Sequence, residues 1–327
     1  MTVEFAGEDG IDEGGLFKEW LSNMSKEIFN EDMALFVKAH SGSTYYPNPK
    51  SVVQPDFAAM FCFVGKVFGK ALWDFHLVDC YFVKAFYKLL LGMPLSYHDL
   101  EDYDAPLYNS LNWMVQNAGA DCLCRDFVES VDYFGEQKEV ELVEGGKDIA
   151  VTDDNKCEYV QQVATFRLHK QVQPQIEAFL KGFYSVVPRE LLRIFDNQEL
   201  ELLIAGLQQI DVDDLREHTL YQGYSATSKP VVFLFEALRE FDNAERAEFI
   251  RFVTGSSKVP VEGFRGLRGQ HGVQKFTVYR IPSTTQTRLP QSHTCHNQLD
   301  LPEYKDKETT KRMLLMAIKE GKTFGLA

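Results

Sequence analysis

The stretch Leu289–Tyr304, "LPQSHTCHNQLDLPEY", sets one cysteine in a polar loop between two proline-marked turns, flanked by His293 and His296. A buried cysteine usually sits among apolar neighbours and behaves as a small hydrophobe. Cys295 has polar neighbours instead, which points to chemistry rather than packing. A free thiol is only a few per cent thiolate at neutral pH, yet the thiolate is a strong nucleophile and a nearby imidazole raises its fraction. In an extended loop, residues i and i+2 project to the same side. His293 would then face the thiol as an orienter or proton acceptor; the alternative is that both histidines are solvated loop residues. A cysteine hydrolase needs an oxyanion hole and a dedicated base, and no glycine-rich protease environment surrounds Cys295. Exchange of one thioester for another needs less, because a thiolate is both nucleophile and leaving group.

Outward from this loop, "QKFTVYRI" (274–281) reads as a strand before it, and a helix is predicted from about Lys307 to Glu320, stopping at Gly321. Asp196 with Glu199, and Asp242 with Glu245, have the spacing of capping boxes, and Gly255 suits the end of the second helix. "YQGYSATSKP", Tyr221–Pro230, is small, polar and glycine-bearing, and is the best linker candidate. It leaves roughly 220 residues before it and about 100 after, both ordinary domain sizes. Further upstream, apolar residues at helical spacing predict helix over 16–40, two helices over 57–91 parted near His76–Asp79, and a short amphipathic helix over Tyr108–Asn117. "FVESVDYFGEQKEVELV" (127–143) and "DIAVT" (148–152) read as strands about the turn Glu144-Gly145-Gly146, and 155–187 as helix broken or kinked at Pro174.

Composition narrows the class. The 327 residues are 45% hydrophobic and 13% aromatic, ample for a packed core, and 34 basic against 48 acidic side chains leave a net charge of −14. Such a chain repels nucleic acid and anionic lipid and suits a partner with a basic face. Six scattered cysteines in a long chain read as reduced thiols of a cytosolic or nuclear setting. Cys122-Leu123-Cys124 is spaced too tightly for a zinc knuckle and has no second pair, so neither metal nor cofactor is expected. The acidic, glycine-broken start carries no signal-peptide pattern. Lysines and aspartates interrupt the most apolar segment, Ala58–Leu91, so membrane insertion is not expected. Opening directly on "VEFAG", the chain looks like a domain cut from something longer.

Taken together, the cysteine stretch, "FVTGSSKVPVEGF" (252–264), "FDNQELELLIAGL" (195–207), "IDVDDL" (210–215) and "GEDGIDEGGLFKEW" (7–20) resemble the HECT-type ubiquitin ligases, in that family's order and over essentially the whole chain. The ending "FGLA" and the wording "NQLDLPEY" are most like a very large member of the family. The family's first helix, upstream of "VEFAG", has no counterpart here.

The resemblance implies an α+β, bilobal fold. A mostly helical N-lobe would span 1–220, with a small E2-binding subdomain at 106–167. A hinge would follow at 221–230, then an α/β C-lobe at 231–327 carrying the cysteine. It implies transfer of ubiquitin from a charged E2 enzyme to Cys295 as a thioester, then to a lysine of a protein substrate recruited by regions outside the domain. By the same resemblance His293 and Thr294 flank the acceptor, Asp12 helps orient or deprotonate the incoming lysine, and Arg167 stands at the lobe interface. Phe324, fourth from the end, would pin the tail. Leu111, Met114 and Tyr159 would line the E2 groove, and Phe134 a ubiquitin-binding exosite. Read alone, the apolar pair at 111 and 114 is ordinary core, Asp12 a turn residue, Arg167 a helix-surface ion pair and Phe324 part of a frayed terminus. Two positions depart from the family: Lys38 where an exosite tyrosine is usual, and His296 where phenylalanine follows the cysteine. The reading from a different class is a degenerate HECT-like module that binds E2 or ubiquitin without transfer.

Overall fold

The computed structural model describes residues 15–40, 42–133, 135–269, 272–282 and 285–324, with side chains at all of these except 15, 16, 19 and 321–324. Asp12 and Phe134 therefore lie outside the described residues, as does the side chain of Phe324. The chain divides into two compact units. One comprises residues 1–26, 75–79 and 202–327; the other comprises 27–74 and 80–201. Both mix helix with small sheets, an α+β architecture.

The chain enters on α1 (Gly15–Ile28), which is shorter than the 16–40 apolar spacing predicts. Asn30 ends the run by accepting from Asp32 N–H in a separate turn, and β1 (Phe36–Lys38) then pairs antiparallel with β2 (Tyr45–Pro47). As the sequence predicts, two helices follow, α2 (Phe57–Trp73) and α3 (Lys84–Leu91). α4 (Ala105–Gln116) is capped by Asp104, whose carboxylate accepts from Leu107 N–H, with Pro106 in the first turn, where its missing N–H costs nothing. The hairpin β3 (Val128–Tyr133) and β4 (Glu136–Glu141) lies where the alternating stretch predicts it. "DIAVT" forms no strand, only an isolated bridge between Asp126 and Ala150. α5 (Lys156–Leu168) and α6 (Gln173–Tyr184) are parted where Pro174 demands it, with the proline in the first turn of α6.

The core of this unit is aromatic. Phe61, Phe68, Phe82, Phe86, Phe179, Phe183, Tyr46 and Tyr87 are fully buried, and the rings of Phe82 and Phe86 have centroids 4.0 Å apart. α2 and α6 cross on glycines: a methyl at Gly182 would lie 1.9 Å from the Cys62 carbonyl oxygen, and one at Gly65 would lie 2.1 Å from that of Phe179. The backbones touch because neither residue has a Cβ.

The short α7 (Arg189–Leu192) and α8 (Asn197–Ala205) follow. The capping box at α8 forms, with Glu199 N–H donating to Asp196 and Asp196 N–H donating to Glu199 at 2.8 and 2.9 Å. Beyond it run α9 (Val212–Glu217), β5 (Leu220–Gln222), α10 (Lys229–Glu240) and α11 (Asn243–Thr254). Of the linker candidate 221–230, its first two residues pair in β5 and its last two begin α10. The Asp242–Glu245 box also forms, and Gly255 ends α11 in the left-handed region at φ 81°. A two-residue pair, β6 (Arg268–Gly269) and β7 (Gly272–Val273), leads into β8 (Thr277–Ile281), β9 (Gln291–His293) and β10 (Gln298–Pro302). The sheet order is β5-β8-β10-β9, parallel except for the last pair. α12 (Lys307–Phe324) continues past Gly321, where the sequence predicts a stop. Leu234, Phe235, Phe249, Val253, Val278, Leu299, Leu301 and Leu314 fill the core between this sheet and α10–α12. Among the described residues no helix is long and apolar enough to cross a membrane.

Candidate active site

Cys295 lies at the turn between β9 and β10. Residues Thr294–His296 form one 3-10 turn, and Asn297 closes it in the left-handed region at φ 47°. The loop is therefore turned rather than extended at the cysteine, and the shared-face argument for His293 loses its basis. The His293 ring points instead to Asp300, Nε2 to Oδ2 3.3 Å, across the β9–β10 pair. The other oxygen of Asp300 accepts from Gln298 Nε2 at 2.6 Å. His296 is exposed, and its carbonyl accepts from Gln274 Nε2 at 2.9 Å. Cys295 is partly exposed, and none of the six cysteines forms a disulfide.

Asn297, which the sequence reading did not single out, holds the loop. It is fully buried, and its amide donates to the backbone carbonyls of Gln274 at 2.7 Å and Arg268 at 3.2 Å. Asparagine tolerates the left-handed region better than any other non-glycine residue with hydrogen-bonding capacity. One side chain thus supplies both the backbone geometry and the anchors that present Cys295. Asn297→Ala is expected to cost about 2–3 kcal/mol, from one orphaned buried carbonyl and the left-handed backbone. Asn297→Gly should recover about 1 kcal/mol of that by relieving the backbone alone. Urea denaturation of the three proteins checks the order.

A second group missed in the sequence is Lys18 of α1. Its ammonium is partly buried and donates to Arg268 O at 2.8 Å and Thr254 O at 3.3 Å. Burial pushes it down to about 8, and the nearby Cys295 acts in the opposite direction. Both contacts span more than 230 residues of sequence, so no local pattern announces them.

The remaining candidates lie in the other unit. Arg167 bonds Glu129 of β3 through both Nε, at 3.1 Å, and Nη2. Leu111, Met114 and Tyr159 are buried, at 4%, 7% and 3% exposure, and Tyr159 packs edge-on against Phe127 with centroids 5.4 Å apart. They form the interior of the 106–167 region rather than an open groove. Among the described residues its large exposed apolar side chains are Trp113 at 53%, Leu123 at 40%, Tyr133 and Ile149. Asp153 pins the link between Trp113 and Leu123 by accepting from Gly119 N–H at 2.7 Å and Ala120 N–H at 3.2 Å. These bonds and that from Lys156 hold the Asp153 carboxyl down at about 2. Lys38 pairs with Glu31 at 2.9 Å on the surface. Among the described residues no cluster of side chains suits a metal ion.

The site is a partly exposed thiol on a turn held by a buried asparagine, and comparison with known proteins gives the family of the chain that carries it. Residues 22–327 match the model of the HECT-domain (ubiquitin-transferase) family, and the chain belongs to that family. It is 45% identical over 329 residues to E3 ubiquitin-protein ligase TOM1 of Saccharomyces cerevisiae, covering 100% of this chain and 10% of that protein. It is 44% identical over 333 residues to E3 ubiquitin-protein ligase HUWE1 of Mus musculus, covering 100% of this chain and 8% of that one. With E3 ubiquitin-protein ligase UPL1 of Arabidopsis thaliana it shares 44% over 335 residues, 100% and 9%. The chain thus spans about a tenth of the length of the relatives it matches.

Proposed function

We propose that this domain is the catalytic part of an E3 ubiquitin ligase, carrying ubiquitin as a thioester on Cys295 before passing it to a lysine of a protein substrate. The observation that carries this reading is the placement of Cys295 on the buried-asparagine turn of a chain that matches HECT-domain ligases from end to end. In the first step the Cys295 thiolate attacks the E2-linked thioester; a carbon–sulfur bond forms at Cys295 and the E2 thiolate leaves. In the second, a neutral substrate amine attacks the same carbonyl, Cys295 leaves as thiolate, and the amine gives up a proton. A lysine amine near pKa 10.4 is almost fully protonated at neutral pH, and Asp12 is the proposed carboxylate that orients it or takes that proton. Thr294 and His293 are the proposed neighbours of the thiol, with the His293 ring held by Asp300. Phe324 is proposed to anchor the tail, Arg167 to serve the lobe interface and Phe134 a ubiquitin-binding surface.

The partners are a ubiquitin-charged E2, ubiquitin, and a substrate recruited by parts of the protein beyond this domain. The compartment that suits six cysteines without a disulfide is cytoplasmic or nuclear. Incubation with E1, a panel of E2 enzymes, ubiquitin and ATP is expected to give a thiol-sensitive ubiquitin adduct. Its absence with every E2 would contradict the proposal.

E2 docking is assigned to the exposed face of the 106–167 region, supported by Trp113 and Leu123, with Leu111, Met114 and Tyr159 forming its packed floor. Trp113→Ala is expected to weaken E2 binding about 30-fold, the size of an interface aromatic worth about 2 kcal/mol, with the melting temperature little changed. Leu111→Ala should instead cost about 2–5 kcal/mol of stability, as a buried truncation does. Fluorescence titration with an E2, alongside thermal melts, separates the two.

A further inference from the structure

Lys18 is a partly buried cation, and among the described residues no carboxylate pairs with it. Such a charge is costly to keep out of water, so its placement calls for a reason. Its ammonium and the Asn297 amide donate to one and the same oxygen, the Arg268 carbonyl, at 2.8 and 3.2 Å. Its stem runs past Gly255 opposite Thr294. A methyl built on that glycine would lie 3.6 Å from Thr294 Cβ and 3.7 Å from Lys18 Cβ and Cδ. The cation thus shares a carbonyl acceptor with Asn297, and its stem and Thr294 border the same face of Gly255. The other charges around the turn are engaged elsewhere. Arg268 lies over the Phe75 ring, 4.2 Å from its centroid, Asp300 is held by His293 and Gln298, and His296 is exposed.

We propose that Lys18 is a positioning residue for transfer: held on the Arg268 carbonyl, its ammonium stabilises the negative charge on the Cys295 sulfur as that atom attacks one thioester and later leaves another. The inference rests on the Cys295 reading above. Lys18 forms no bond and exchanges no proton in either step. Two of its three hydrogens are engaged by the carbonyls of Arg268 and Thr254. A charge acts more strongly across a partly desolvated site than in water. The electrostatic interaction of Lys18 with Cys295 agrees with this placement.

The test compares the alkylation of Cys295 by anionic iodoacetate and by neutral iodoacetamide, read by peptide mass. Relative to 2-mercaptoethanol, Cys295 of the unmodified chain should favour iodoacetate by about three- to tenfold, as a fixed nearby cation attracts the anion. In Lys18→Met and in Lys18→Gln, which keeps a donor for the carbonyls, that preference should disappear and single-turnover thioester formation should slow about tenfold. Lys18→Arg should restore both. Loss of packing alone would change the two alkylation rates together and leave their ratio intact. A ratio at Cys295 equal to that of 2-mercaptoethanol overturns the inference without need of any variant, as does an unchanged ratio in either neutral variant. If the unmodified chain forms no ubiquitin thioester, the Cys295 reading fails instead, while the alkylation ratio still reports on Lys18.

Discussion

Gly182→Ala is expected to destabilise the protein by about 3 kcal/mol or more, the upper range for overpacking a closed core. The added methyl would sit 1.9 Å from the Cys62 carbonyl oxygen and 2.8 Å from its carbon. Backbone atoms cannot swing aside as a side-chain tip can, so α2 and α6 must separate. Phe68, Phe179 and Phe183 are fully buried along this crossing, and separation opens gaps among them. Gly65→Ala strikes the same crossing from the other helix, 2.1 Å from Phe179 O and 2.8 Å from Phe183 N. Because the two glycines share one contact, the double substitution should cost less than the sum of the single ones. At about 1.5 °C per kcal/mol for a chain of 327 residues, each single change should lower the melting temperature by about 4–5 °C. Calorimetry checks this, and a shift below about 2 °C for Gly182→Ala would mean that the helices do not meet on their glycines.

Cys295→Ser has the larger effect on function. A serine hydroxyl is a weak nucleophile at neutral pH without a dedicated base. An oxyester formed there would also resist the thiols that reverse a thioester. The variant should therefore show ubiquitin loading that is slowed at least about 100-fold and is stable to dithiothreitol, with ligation lost to a similar degree. Cys295→Ala should show no adduct at this position. Both should melt near the parent temperature, because a partly exposed turn residue contributes little to the core. The exposed thiols Cys122, Cys124 and Cys157 are the natural competitors. Replacing all three with serine should leave thiol-sensitive loading intact. Gels run with and without reductant read every one of these outcomes.

Local chemistry was legible where the cause was local. Both capping boxes form because Asp and Glu three residues apart satisfy each other's N–H groups. Pro174 and Gly255 mark helix ends for equally local reasons. Long-range causes were not legible. Periodicity over 16–40 predicts one helix, but Asn30 captures the next N–H and diverts the chain into β1. "DIAVT" has strand composition, yet only Ala150 finds a bridging partner. On α4 the apolar residues named for the groove face inward, and Trp113, one position along, faces outward. Sequence spacing identifies a face without saying what covers it. Asn297 and Lys18 escaped notice because their partners, Arg268, Gln274 and Thr254, meet them only through the fold. The cysteine itself was readable, since a thiol among polar residues lacks a packing rationale.

The most direct measurement is mass spectrometry of a loading reaction quenched in acid without reductant and digested at low pH. Ubiquitin's C-terminal glycine is expected to be joined to the sulfur of Cys295, appearing before any modified lysine and vanishing on addition of thiol. Ubiquitin found first on a lysine, or on Cys122, Cys124 or Cys157 with Cys295 free, would contradict it.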